Sequence, residues 1–421
     1  MLDYHAQTKH SYASVRSRSG GMDWDSKPDV FKRYPSHFER FFLDKSIDIH
    51  RFFHRIGGVS ATKTYPNMRY CLRTNPSAGA LYPTEVYVQI RSMEGFNDGL
   101  YHLCPEESSL VLIHPLSSHE GVESALHVNA FYGCIFLFST LYFRSSWKYK
   151  NRAFRYCLQD TGHMLGTLEA SCFLLGKPYD IIYDFDKKAL NTLFGFGAEE
   201  FFLSAALVGE ESTHPTQLPT KPLAFVDGTK HFEANPLIEE AYAQSLSLLH
   251  PCFQKERPLF TLAPEPFERV IMERRSTREF YENAITQEDF ETIMAYVSMP
   301  IPSDADTKVH IYALIHRVVG MEQGVWLEGH CIKSGDFARL SGHLCLDQAL
   351  GSQSAVTFFL LSNDENYQAL MQKSGILGHR LYLIANMLGI GSSGIGAYYD
   401  DEVTDFLETN AKVLYALAIG K

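Results

Sequence analysis

Two short segments, far apart in the chain, carry residue types that can do chemistry. Arg274, Arg275, Ser276 and Arg278 gather three guanidinium groups and a hydroxyl in one stretch. Forked N–H donors of this kind match the oxygens of a terminal phosphate. The second segment, Pro76-Ser77-Ala78-Gly79, lies inside Arg73–Pro83. Small residues in such a turn let a flat polar ring approach the backbone and leave its N–H groups open to that ring. Taken singly, these segments are a solvated charge run and a surface turn. Taken together, they predict binding of a planar, phosphorylated cofactor.

The elements that must position them form a degenerate internal repeat. Gly95, Gly99 and Tyr101 share their spacing with Gly320, Gly324 and Trp326. Each set follows an alternating apolar strand, 86–90 in one case and 311–315 in the other. Gly162 and Gly176 bracket a helical stretch, as do Gly375 and Gly389, and each half closes on a strand, at 203–209 and 414–420. This order of elements predicts an α+β fold built twice. The expected division is a domain over 1–213, a linker over 214–260 and a second domain over 261–421. His214 to Pro222 reads as a Pro-rich connector, followed by a helix from about Leu237 to Leu249. Thr286-x-x-Asp289 has the form of a capped helix N-terminus.

Composition narrows the function. The chain has 421 residues, of which 45% are hydrophobic and 21% charged, enough for two packed domains. A net charge of −11 argues against nucleic acid or an anionic membrane surface as the main partner. The apolar run from Cys134 to Phe143 is too short to cross a bilayer and reads as a buried strand. The first residues carry no signal-peptide core. The eight cysteines include no Cys-x-x-Cys pair, so they are expected to be reduced thiols, neither bridged nor holding a metal. The expected location is the cytoplasm.

Segment 73–83 resembles the nitroreductase superfamily, in particular its SagB/ThcOx-type branch of FMN-dependent peptide azoline dehydrogenases. Further stretches are similar to that branch in the same order: Tyr4 to His10, Glu85 to Val88, Gly99 to His102, Trp147-Lys148-Tyr149, Arg155-Tyr156, Asp160 to His163, Cys345 to Gln348 and Gly394 to Asp401. The resemblance implies two tandem nitroreductase-like domains forming an intramolecular pseudo-dimer. It also implies an FMN held by Arg274, Arg275, Ser276 and Arg278 from one half and by Pro76, Ser77, Ala78 and Gly79 from the other. Gly394, Ile395 and Gly396 look like the loop facing flavin N5 and O4, and Gln348 like the amide reaching the pyrimidine edge.

Lys148 and Tyr149 match the pair that such enzymes use near the flavin. A lysine desolvated beside Arg144, Lys150 and Arg152 would serve as base, with the tyrosine as relay or positioning group. A bland alternative is that Arg144 to Arg155 is a solvated helix start. His163 is expected to be a helix-end hydrogen bonder, and Arg73 to hold the turn or meet substrate. A second flavin site would need Lys32-Arg33 and Pro302-Ser303-Asp304-Ala305-Asp306, whose aspartates repel a flavin, so one FMN per chain is expected. Gly389-x-Gly391-x-x-Gly394 follows a helix instead of a strand, which excludes dinucleotide binding of the Rossmann type.

The leading expectation is therefore dehydrogenation of a thiazoline, oxazoline or similar heterocycle, free or borne on a peptide that a separate cyclodehydratase has modified. The alternatives are a nicotinamide-driven nitro- or quinone reductase and a flavin-poor scaffold in a peptide-modifying complex. A monomeric pseudo-dimer and a homodimer both fit.

Overall fold

A computed structural model describes residues 2–17, 21–65 and 68–421. Their contacts form two compact units. The amino-terminal unit comprises Met22–Pro258 together with Ile301–Asp306, and the carboxy-terminal unit takes the rest, including the start of the chain.

A seven-stranded sheet forms the amino-terminal unit, in the order Arg40–Phe42, Ser109–Pro115, Gly99–Cys104, Thr84–Arg91, Phe131–Leu141, Glu200–Glu211, Asp180–Ile182. Every neighbouring pair is antiparallel. Strand Thr84–Arg91 is buried along its whole length. Leu100, Val111, Ile135, Leu137 and Phe202 pack in the core of this unit. The carboxy-terminal unit has a six-stranded sheet in the order His330–Ser334, Gly324–Leu327, His310–Ile315, Val356–Ser362, Lys412–Gly420, Gly391–Ile395, again antiparallel throughout. Without the first strand, Arg40–Phe42, the two sheets have the same order of strands along the chain. The spacing of glycines thus marked a true structural repeat.

That repeat explains the turn glycines. Gly95 (φ 84°) and Gly320 (φ 88°) occupy the left-handed region that only glycine enters freely, and each turns the chain toward the next strand, at Gly99 and Gly324. Gly176 and Gly389 behave as expected just past the helices Ala153–Leu175 and Tyr367–Met387, with φ of 66° and 70°. Gly162 and Gly375, in contrast, do not open these helices but lie inside them. Both helices are buried along most of their length, so packing against the sheet extends them well upstream of the glycine. For the same reason His163 is a buried mid-helix residue and not a helix end. Arg144, Arg152 and Arg155 are buried too, so this basic run is no solvated helix start.

Two segments pack with the opposite half of the sequence. Near the start of the chain, His5 Nδ1 lies 3.1 Å from the Tyr367 hydroxyl, and the His10 N–H donates to the Asp400 carboxylate at 2.9 Å. Segment 301–306 lies along the edge strand Asp180–Ile182, where the Ile181 N–H donates to the Pro302 carbonyl at 3.0 Å. The Asp304 carboxylate accepts the N–H groups of Tyr183 at 2.9 Å and Asp184 at 2.8 Å. Pro302 to Asp306 is therefore not a copy of the Pro-Ser turn but an extended segment covering a sheet edge. The expected helix after the connector is shorter, Pro236–Ala243. The Thr286 capping box opens the helix Gln287–Val297 as read from sequence. Helix Tyr367–Met387 precedes the Gly389 to Gly394 stretch, which enters an edge strand, consistent with excluding a Rossmann fingerprint. Among the described residues, no helix is long and apolar enough to cross a membrane.

Lys32 and Arg33 do not form a phosphate site. Lys32 is buried, its ammonium 2.6 Å from Glu200 and 2.8 Å from the Tyr87 hydroxyl, while Arg33 pairs at the surface with Asp29 and Glu106. Ser139 donates to Glu200 at 2.7 Å and completes the shell around this carboxylate. Lys32→Met would leave Glu200 a buried charge without its counter-ion, a loss of about 3–5 kcal/mol in unfolding free energy measured by urea denaturation.

Candidate functional site

The amino-terminal unit builds one cluster around the Pro-Ser turn. Between strand Met68–Arg73 and strand Thr84–Arg91 the chain makes an abrupt turn, with Gly79, Ala80 and Tyr82 all left-handed at φ of 64°, 52° and 45°. For the two non-glycine residues this costs roughly 1–2 kcal/mol each, so the surroundings must hold the turn. They do so from several sides. The Ser77 hydroxyl donates to the Asp160 carboxylate, and the Ala78 N–H donates to its other oxygen at 3.2 Å. The Tyr82 N–H donates to the Ser77 oxygen at 2.9 Å, and the Arg73 N–H donates to the Tyr82 hydroxyl at 3.1 Å. Arg144 donates to the Tyr82 carbonyl at 2.9 Å and to Glu85 at 2.6 Å. Arg73 thus holds the turn, through its backbone and by stacking its guanidinium 4.7 Å from the Tyr82 ring centre.

The N–H groups of Ala78, Ala80 and Tyr82 are therefore spent internally, contrary to the expectation that the turn's N–H groups stay open. Ala78 N–H goes to Asp160 and Ala80 N–H to the Ser77 carbonyl. What the turn offers is the exposed face of Gly79. A methyl group there would come within 2.8 Å of the Tyr149 hydroxyl and 3.2 Å of the Lys148 ammonium. The structure thus brings Gly79, Lys148 and Tyr149 together. Leu81, Phe143 and Trp147 form an apolar cluster, with Tyr149 against it, that fixes helix Phe143–Tyr149 on the turn. Lys148 is exposed, so the desolvation expected of this lysine is absent, while Arg144 and Arg152 are buried. Tyr156 packs its ring 4.4 Å from that of Tyr149.

Asp160 stands beneath this cluster. Burial pushes its carboxyl up to about 7, against the opposing pull of hydrogen bonds from Ser77 and Ala78. Glu85 goes the other way. Burial alone would raise it, but Arg144, His102 and Arg73 outweigh burial and hold it well below the usual carboxylate range.

The carboxy-terminal unit builds the other cluster. Helix Pro264–Glu273 ends at the basic segment. Arg274 is buried, its guanidinium 5.3 Å from the centre of the Tyr382 ring, while Arg278 is exposed. Arg275 donates to the Met272 carbonyl at 3.2 Å, and Ser276 shares a 2.9 Å hydrogen bond with the Tyr382 hydroxyl. The Thr277 N–H donates to the Ser392 carbonyl at 2.8 Å. The basic segment therefore runs beside strand Gly391–Ile395.

Gly394 and Ile395 belong to this strand and not to a loop, with Gly396 just beyond it. The Gly394 N–H donates to the Tyr382 hydroxyl, so it is not free to face a ring atom. A side chain at Gly394 would collide with the Tyr415 hydroxyl, 2.1 Å from the position of its Cβ. Gln348 turns its amide to the carbonyls of Cys345 at 2.7 Å and Ala397 at 3.4 Å, which places it next to Gly396. It follows two left-handed non-glycine residues, Leu346 and Asp347.

Asp160 and Tyr382 are the two residues that sequence reasoning did not single out for a role. Asp160 at least stood in a stretch, Asp160 to His163, that resembled a known segment. Tyr382 had no local signal, being one aromatic residue in a buried helix. Tyr382→Phe keeps the ring under Arg274 but strands the Gly394 N–H and the Ser276 hydroxyl. A stability loss of about 1–3 kcal/mol in urea unfolding is expected.

Known proteins resemble this chain in sequence and fold. The sequence profile of the Nitroreductase family matches residues 271–421. A candidate nitroreductase of Methanocaldococcus jannaschii is 36% identical over 97 residues, covering 22% of this chain and 48% of that protein, so the match spans about half the length of the relative. The crystal structure of a candidate nitroreductase from Anabaena variabilis superposes with a TM-score of 0.81 at 23% identity, covering 100% of this chain and 99% of that one. Residues 271–421 thus match the Nitroreductase family profile, and the whole chain shares the fold of the Anabaena protein, with its two units as tandem copies of one α+β design.

Proposed function

We propose that this protein is an FMN-dependent oxidoreductase that dehydrogenates an azoline or a similar five-membered heterocycle, most suitably one borne on a peptide already cyclised by a separate enzyme. The observation that carries this reading is the meeting of Lys148 and Tyr149 with the strained turn at Gly79. An amine and a phenol beside an exposed glycine face suit a flat ring with a proton donor or acceptor stacked near it.

The residues present fit FMN. Arg274, Arg275, Ser276 and Arg278 supply the forked and hydroxyl donors that a phosphate monoester takes. Pro76 to Gly79 supplies a surface with no side chain at Gly79 to block a planar ring. Gln348 is assigned to the ring edge through its amide oxygen, with Gly396 beside it, since its amide nitrogen faces the Cys345 and Ala397 carbonyls. The flavin, when bound, accepts a hydride. Lys148 takes the proton from the neighbouring ring carbon, so the substrate loses a hydride and a proton together. Tyr149 lies against Lys148, whose side-chain nitrogen stands 5.3 Å from the Tyr149 ring centre and takes the proton in its neutral amine form.

One flavin per chain follows from the divergence of the two units. In the carboxy-terminal unit the edge strand Gly391–Ile395 is flanked by the arginine segment. In the amino-terminal unit the equivalent strand, Asp180–Ile182, is flanked by Pro302 to Asp306, which brings Asp304 where a phosphate site would need cations.

Two measurements test the reading. The purified protein should show a flavin visible spectrum and release close to one FMN per chain on heating. A colourless protein that takes up no FMN would sink the assignment, and close to two would place a flavin in both units. Lys148→Ala should retain FMN yet slow flavin reduction by an azoline substrate by about a hundredfold, the usual weight of a general base, in single-turnover stopped flow. An unchanged rate would leave Lys148 a surface charge.

A further inference from the structure

The most heavily engaged carboxylate near the proposed ring site has no part in the chemistry described so far. Asp160 is 3% exposed and sits in the interior of the helix Ala153–Leu175. Burying a carboxylate is costly unless donors compensate, and the donors here both come from the turn. Ser77 gives its hydroxyl hydrogen to one oxygen, and Ala78 gives its N–H to the other.

The consequence for Ser77 is a fixed polarity. A serine hydroxyl has one hydrogen and two acceptor positions. Its hydrogen is committed to Asp160, and one acceptor position is filled by the Tyr82 N–H at 2.9 Å. The remaining position can only accept.

We infer that Asp160 is a positioning residue for the flavin ring: it locks the Pro76 to Gly79 turn and presents the Ser77 oxygen as an acceptor to a ring N–H. The inference rests on the flavin reading above. Oxidised isoalloxazine carries a single ring N–H, at N3, so the pyrimidine edge is the part of the ring assigned to Ser77.

The repeat supports this assignment. Asp160 stands two residues before Gly162, and the matching position before Gly375 is Lys373. Lys373 donates to the Thr307 carbonyl at 3.1 Å and clasps no Pro-Ser turn. The carboxylate is present in the half that has the turn and missing from the half that lacks it.

The test is a double-mutant cycle on FMN binding by the full-length protein, with Asp160→Asn, Ser77→Ala and the double variant, in mildly alkaline buffer where the carboxyl is ionised. Asparagine has one acceptor oxygen for the two donors Ser77 and Ala78, so one of these contacts is lost and the clasp that fixes the Ser77 hydroxyl is broken. Each single change should raise the FMN dissociation constant about tenfold or more, as removal of a charge-assisted hydrogen bond does. The double variant should bind no more weakly than the worse single one, because both changes remove the same contact.

The bound flavin gives a second readout that general destabilisation would not move. The pH at which N3–H ionises, followed in the visible spectrum, should fall in both single variants, because the acceptor is removed in Ser77→Ala and no longer held in place in Asp160→Asn. Additive losses, or parent-like affinity and N3 ionisation in either single variant, would overturn the inference. Should Asp160→Asn not fold, Ser77→Ala alone decides through the same two readouts. A parent protein that binds no FMN would overturn the flavin reading itself, and this inference with it.

Discussion

The ion pair between Glu85 and Arg144 is the constraint on which the amino-terminal unit turns. Both side chains are fully buried, 2.6 Å apart. In a low-dielectric interior such a pair survives only when its remaining hydrogen-bonding capacity is also met. Most of it is met here, by His102, 2.8 Å from the second Glu85 oxygen, and by the carbonyls of Tyr82 and Gly228, which accept from Arg144 at 2.9 and 3.3 Å, while Arg144 Nε is left without a partner among the described residues. Glu85 begins the central strand, Tyr82 closes the strained turn, and Arg144 begins the short helix that carries Lys148. Arg144 precedes Lys148 by four residues, about one helical turn. Anchoring the arginine therefore fixes where the lysine and Tyr149 emerge beside Gly79.

The two units have kept one sheet order and divided its uses. Each has an edge strand flanked by an added segment, but the segments differ in charge. The carboxy-terminal unit sets arginines beside Gly391–Ile395, whereas the amino-terminal unit sets Asp304 beside Asp180–Ile182. Conversely, the amino-terminal unit retains a Pro-Ser turn held by a buried carboxylate. A duplicated domain whose copies are covalently joined has no need to keep both versions of each feature, since symmetry no longer forces the two halves to be alike.

Backbone strain is spread over both units, and part of it falls beside these segments. Left-handed residues other than glycine are unfavourable and persist only where the surroundings over-determine them. Ala80 and Tyr82 follow Gly79, Lys150 follows the Lys148-Tyr149 pair, and Leu346 and Asp347 precede Gln348. The first lies in a segment marked by its chemistry, and the other two in segments marked by the family resemblance. Packing of Leu81, Phe143 and Trp147, and the hydrogen bonds that converge on Tyr82, supply the restraint in the first of these places.

Much of this was legible in the chain itself. Glycine spacing marked the hairpin turns because a left-handed turn admits little else, and apolar alternation marked the strands because side chains in a sheet alternate faces. The helix cap at Thr286 and the failed dinucleotide fingerprint were equally local. Sequence alone therefore determined the α+β duplication, its turns and the residue types available for a phosphate and a ring. Tertiary structure decided which of these residues meet. Ser77 finds its carboxylate 83 residues away, and Ser276 finds Tyr382 at a distance of 106. It also decided that Arg144 turns inward, that the helices run past Gly162 and Gly375, that Gly394 sits in a strand, and that 301–306 covers a sheet edge. Local patterns encode backbone period and turn geometry, whereas the partner of a buried charge or hydroxyl is set by chain segments that only folding brings side by side.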